Sequence, residues 1–171
     1  MGQAARTRIF LLQGQIYCQR QPALVSTILG SCVSLCLWDP KAGFGGINHY
    51  VLPGSGAAAE AENTRYGELA IDLLHRRMLQ LGADSGALQA KIFGGASVFP
   101  LGASQTTVGT RNVELAIACM NDLGVPIIEQ ETGGDVGRQL VFDTGSGKVT
   151  ARIIGQATSP DKASPAVRGA R

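Results

Sequence analysis

Apolar and polar residues change period several times along this chain, and each change marks an element. Val33, Leu35 and Leu37 alternate with Ser34, Cys36 and Trp38, the two-residue period of a strand with two different faces. Asp39-Pro40 and the glycines Gly43, Gly45 and Gly46 supply turn chemistry, so Ile47 to Leu52 is expected to return beside that strand. Upstream, Ala23 to Leu29 reads as a buried strand, and Arg8 to Tyr17 as a strand pair or one strand with a Gln13-Gly14 turn. Tyr66, Leu69, Ala70, Leu73, Leu74, Met78 and Leu81 recur at helical spacing, with Asn63-Thr64 as N-cap and Gly82 as stop. Leu88 to Phe93 reads as a strand ending in Gly94-Gly95-Ala96-Ser97. A second helix is expected from about Thr110–Asn112 to Leu123, with Val113, Ala116, Ile117 and Met120 as its stripe and Gly124 closing it. A strand from Pro126 and a hairpin, Gln139 to Phe142 and Lys148 to Ile154, follow.

Between these elements, Pro53 to Ala61 reads as a surface loop and Val98 to Thr107 has no clear period. No repeat period is present, and the pattern predicts one mixed α/β or α+β domain over residues 1–155. Residues 156–171, rich in Ser, Pro, Ala and Arg, carry no core pattern and are expected to form a disordered tail.

Composition narrows the functional classes. A net charge of +2 and 5% aromatic residues leave little for nucleic-acid binding. No apolar run reaches the roughly 18 to 20 residues of a membrane span, and the N-terminal stretch lacks a signal-peptide pattern. A cytoplasmic protein with reduced cysteines is the expectation. The four cysteines (Cys18, Cys32, Cys36, Cys119) show no zinc-ligand spacing, so neither metal nor cofactor is predicted.

The chemistry concentrates in residues 24–53. Gly30-Ser31 delivers Cys32 at the start of the alternating strand, and the returning strand carries Asn48 and His49. A hairpin of this kind can make neighbours of a thiol and an imidazole, the pairing that activates a cysteine nucleophile. Asn48 points away from His49's face and is assigned a structural role. A cysteine in an apolar setting is more often inert packing, and Cys18, Cys36 and Cys119 are read that way. His75, beside Arg76 and Arg77, is read as a surface residue. Gly94-Gly95-Ala96-Ser97 matches no phosphate-loop motif and is read as a tight turn against neighbouring backbone.

With those residues placed, six blocks in order resemble the CheD family of chemoreceptor glutamine deamidases: LGSCVSLCLWDP (29–40), GGINHYVLP (45–53), NTRYGELAIDLL (63–74), KIFGGAS (91–97), VGTRN (108–112) and TGGDVGRQLVFDTGSGKV (132–149). The resemblance implies an α/β fold, a three-layer sandwich built on a β-sandwich with flanking helices. It implies Cys32 as nucleophile, His49 as base and, six positions before the cysteine, Ser26 as the third residue. Thr27 stands next to Ser26, and either hydroxyl could orient His49. The implied reaction is conversion of receptor glutamine side chains to glutamate through a thioester, with methyl-ester cleavage as a side activity. The implied partners are methyl-accepting chemotaxis receptors and a CheC-type phosphatase. The rival readings are a non-catalytic adaptor that binds receptors or the phosphatase, and a different thiol hydrolase such as a peptidase.

Overall fold

A computed structural model of the chain describes residues 6–55, 62–98 and 106–154. The expected tail at 156–171, most of the Pro53–Ala61 loop and most of the Val98–Thr107 stretch lie outside those residues. The described elements are β1 (Thr7–Phe10), β2 (Ile16–Cys18), β3 (Ala23–Leu29), β4 (Val33–Asp39), β5 (Phe44–Asn48), α1 (Gly67–Gln80), β6 (Gln89–Gly94), α2 (Val108–Leu123), β7 (Ile127–Thr132), β8 (Arg138–Asp143) and β9 (Val149–Ile153). They form a mixed α/β domain with two sheets and two helices. One sheet has the order β1-β3-β8-β9 and the other β2-β5-β4-β6-β7.

The central strand β4 explains the layering. Its alternation is present, yet nearly all of it is buried. Val33, Leu35 and Leu37 face a core shared with Ala70, Leu74, Met78, Ala116 and Met120 of the helices. Cys36 and Trp38 point to the other core, with Val25, Leu29, Leu140 and Phe142 of the four-stranded sheet. Each face of the five-stranded sheet thus has its own apolar cover, which a half-solvated strand would not need.

The expected hairpin forms: β4 and β5 pair antiparallel with Cys36 opposite Ile47 and Asp39 opposite Phe44. Asp39 organises the turn, one carboxylate oxygen accepting from the backbone N–H groups of Lys41 and Ala42 at 2.8 and 3.0 Å. The β8–β9 hairpin also forms as expected.

Three segments differ from expectation for identifiable reasons. The Arg8–Tyr17 region is not a paired hairpin. β1 lies parallel to β3 in one sheet, and β2 lies antiparallel to β5 in the other. The Gln13-Gly14 turn therefore carries the chain between sheets, close to where Gly30–Cys32 makes the same crossing from β3 to β4. The start of α1 is also later than Asn63-Thr64. Asn63 instead accepts from the Arg65 N–H at 3.0 Å in a local turn, and Thr64 donates its hydroxyl to the Gly14 carbonyl. The helix begins at Gly67, where an added Cβ would sit 2.5 Å from Leu115 Cδ2 and 2.8 Å from the Tyr50 ring. α2 begins at Val108, two residues before the expected start, because the Thr107 hydroxyl accepts from the Thr110 N–H at 3.1 Å and caps it.

Candidate active site

The position of Cys32 follows from strand register. Val33 and Tyr50 form a bridge, exchanging N–H···O bonds of 3.1 and 3.0 Å. That pairing continues the β4–β5 register, so His49 lies opposite Ser34, and Cys32 is its diagonal neighbour on the same face. The face is the one turned toward the four-stranded sheet: Cys32 packs with Leu11, Leu29 and Phe93 and is 7% exposed.

The hydroxyl that meets His49 belongs to Thr27. Its Oγ1 lies 2.8 Å from His49 Nδ1, whereas Ser26 directs its hydroxyl to the Ile9 carbonyl at 3.3 Å. Of the two hydroxyls that the sequence left open, Thr27 and not Ser26 is the one that reaches His49, and the reason is the period of the strand. In β3, Ala23, Val25, Thr27 and Leu29 are buried against the other sheet, while Leu24, Ser26 and Ile28 face outward. An even-numbered residue of β3 has no route to His49.

The hydrogen bonds also fix the imidazole tautomer. Thr27 donates its only hydroxyl proton to the Leu11 carbonyl at 2.8 Å, so toward His49 it can only accept. The tautomer of His49 with its proton on Nδ1 satisfies both contacts. Nε2, buried and with no other hydrogen-bond partner, is left with a free lone pair. Burial lowers the His49 pKa to about 4, opposed by the nearby Leu11 carbonyl. Burial also pushes the Cys32 thiol up, opposed by Arg65 and by the Cys32 backbone N–H. Burial thus favours the neutral form of both the thiol and the imidazole.

Three further residues build the site, and none was singled out by the sequence pattern. Asn112, fully buried on α2, donates from Nδ2 to the carbonyls of Ser31 and Val51 at 3.0 and 2.9 Å, next to Cys32 and Tyr50 respectively. Arg138, 5% exposed, donates to the carbonyls of Gly94 and Gly133 at 2.9 and 3.0 Å. Gln13 places Nε2 at 3.8 Å from Cys32 Sγ. Gln13 lay in a recognised turn signal, but the signal says nothing about which sheet follows.

The remaining predicted residues take structural places. Asn48 Oδ1 accepts from the Leu35 N–H at 2.9 Å inside the sheet. Cys36 is 1% exposed, and burial drives its thiol far up. The Cys18 thiol is pushed up to about 11 and lies 3.4 Å from Met78 Sδ. Gly94 and Gly95 form the expected tight turn, with Gly95 N–H donating to the Cys32 carbonyl at 2.9 Å. His75 is half-buried on α1. All four cysteines are free thiols.

Fold and site together define a class: a mixed α/β domain in which a buried histidine meets a buried threonine between two sheets, with a buried cysteine on the same face. Comparison with known proteins supplies the family. The model of the family described as CheD chemotactic sensory transduction matches residues 51–153. A probable chemoreceptor glutamine deamidase CheD of Rhodospirillum rubrum is 44% identical over 152 residues, covering 89% of this chain and 85% of the relative. One from Agrobacterium fabrum is 43% identical over 149 residues, covering 86% and 81%. The chain belongs to the CheD family. The family-model match begins after His49, but a 152-residue span of this chain must include both Cys32 and His49.

Proposed function

We propose that this chain is a chemoreceptor glutamine deamidase acting through Cys32, His49 and Thr27. The observation that carries the reading is the directed hydrogen-bond chain from the Leu11 carbonyl through Thr27 to His49 Nδ1, which leaves Nε2 free on the face that bears Cys32. The relatives are named for the same activity. A threonine hydroxyl that can only accept is an orienting group, the role the third residue plays in other triads.

In the proposed cycle, Cys32 Sγ attacks the side-chain carbonyl carbon of a receptor glutamine. The C–S bond forms, the carbonyl π pair moves to oxygen, and the thiol proton passes to His49 Nε2. The oxyanion collapses, the C–N bond breaks, and the amide nitrogen leaves as ammonia with the proton from His49. Water then adds to the thioester with His49 Nε2 as base, releasing glutamate and the thiol. Burial keeps the imidazole neutral and free to take a proton, and the charge it then acquires in an apolar setting favours return of that proton to the leaving nitrogen.

Around this chemistry we read the domain as a three-layer sandwich, with the four-stranded sheet, the five-stranded sheet and the helices in sequence. We place the protein in the cytoplasm, where receptor signalling segments are found, with a CheC-type phosphatase as a second partner. Among the described residues no helix is long and apolar enough to cross a membrane. The test is mass spectrometry of a receptor cytoplasmic fragment incubated with the protein. The expected result is the mass gain of amide-to-acid conversion at discrete glutamines, abolished by Cys32→Ala and by His49→Ala. Backbone cleavage would mark a peptidase, and receptor binding without conversion would mark an adaptor.

A further inference from the structure

The proposed attack generates an oxyanion that needs hydrogen-bond donors, and the backbone around Cys32 is short of them. The Val33 N–H is committed to the Tyr50 carbonyl at 3.1 Å. The Cys32 N–H faces its own sulfur and is available. One donor beside a buried sulfur is a thin oxyanion site, since such sites usually present two.

We propose that the Gln13 side-chain amide is the second donor, so that Gln13 Nε2 and the Cys32 N–H together hold the oxyanion. This rests on the deamidase reading above. Gln13 Nε2 points at Cys32 Sγ from 3.8 Å. When the sulfur bonds to a carbonyl carbon, the carbonyl oxygen lies between sulfur and such a donor, within the ~3 Å of a charge-assisted hydrogen bond. The contact joins an exposed residue to a nearly buried sulfur, so Gln13 stands where a substrate side chain must enter.

The turn that carries Gln13 is built to hold it there. Gly14 N–H donates to the His49 carbonyl at 2.7 Å, and His49 N–H donates to the Gln15 carbonyl at 3.1 Å. Gln15 closes the turn on itself, its Oε1 accepting from the Leu12 N–H at 2.9 Å. Thr64 adds a bond to the Gly14 carbonyl from outside. Gly14 sits at φ +78, and an added Cβ would meet Arg65 Cγ at 2.9 Å. The donor is thus fastened to the backbone of the base, and both approach the sulfur as one unit. In the step itself Gln13 exchanges no proton. It donates an N–H to the oxygen that receives the carbonyl π pair, and keeps that proton when the C–N bond breaks.

Gln13→Glu keeps shape and acceptor oxygens and deletes the donor, and Gln13→Met keeps length without polarity. Both sit at an exposed turn, and circular dichroism checks that they fold. The expected outcome is a fall in kcat of at least about tenfold in each, with KM for the receptor fragment little changed. The pH profile of Cys32 alkylation by iodoacetamide should also move upward in Gln13→Met, because the sulfur loses a donor. Wild-type or faster turnover in either variant would overturn the assignment and make Gln13 a mere cover. Conversion of Gln13 itself to glutamate in the wild type would also overturn it, marking that side chain as a substrate mimic. If the wild type converts no receptor glutamine, the deamidase reading fails, while the alkylation profile still reports on Gln13: an upward shift supports the donor contact, and an unmoved profile removes it.

Discussion

Thr27 and Ser26 are adjacent hydroxyls with opposite fates, and comparing them isolates what a hydroxyl does for His49. Thr27→Val deletes one oxygen and keeps the branched shape, leaving the buried Nδ1 without its hydroxyl partner at 2.8 Å. An unmet buried donor costs about 1–3 kcal/mol, so turnover should fall by about tenfold or more while receptor binding holds. Ser26→Ala removes a hydroxyl bonded to the Ile9 carbonyl on the outer face, and its rate should match wild type. Rates of glutamine conversion measured side by side decide the matter; equal loss in both variants would mean strand β3 is disturbed as a whole. His49 carries a second prediction at this scale. Its folded pKa of about 4 lies below the ordinary 6.5, so between these values the unfolded chain binds more protons than the native one. Stability contributed by the neutral ring is complete above pH 6.5 and declines as pH falls toward 4, by about 3 kcal/mol in total. Denaturant midpoints taken across that range should show the decline in wild type and a shallower one in His49→Gln.

At the scale of elements, the turn after β6 is the backing of Cys32. Gly94 adopts φ +106, and a Cβ there would lie 2.2 Å from the Cys32 carbonyl oxygen. Gly43 has a similar φ of +70 with nothing within 4 Å of its virtual Cβ. Gly43→Ala should therefore cost only the left-handed backbone penalty, about 1 kcal/mol, and spare activity. Gly94→Ala adds a collision with the backbone that carries the thiol, and should cost about 3 kcal/mol or more and abolish turnover. Thermal melts and conversion assays on the pair separate strain from collision. These elements also mark what the sequence could and could not disclose. The β4–β5 hairpin was legible because alternation and turn residues are local, and with it the placing of Cys32 and His49 on one face of the sheet. The choice between Ser26 and Thr27 was open to the same period-2 argument. Val25 and Leu29 are the apolar inward positions, and Thr27 shares their parity. Long-range placement was not legible: nothing in Arg8 to Tyr17 says that its two strands join different sheets, so Gln13 could not be connected to Cys32.

For the molecule as a whole, the question is how a helix layer on one face of the five-stranded sheet affects a site on the other. Asn112 is the physical link. From α2 it reaches the Ser31 and Val51 carbonyls, which flank the Val33–Tyr50 bridge, and its own carbonyl accepts the Tyr50 hydroxyl. The helix thereby grips both strands of the bridge from behind, at the level of Cys32 and His49. Asn112→Ala removes both Nδ2 bonds and leaves two carbonyls without that donor. At about 1–3 kcal/mol for each buried group left unmet, the loss should be about 2–6 kcal/mol overall. The more telling effect is local. The N–H groups of Val33 and Tyr50 close the bridge, so their amide exchange should accelerate beyond the global loss of stability if the helix holds the site in register. Amides of the β8–β9 hairpin, in the other sheet, should accelerate only by the global amount. Uniform acceleration across both sheets would instead show that Asn112 supports the fold at large, and that the β4–β5 strands keep Cys32 and His49 aligned without help from the helices.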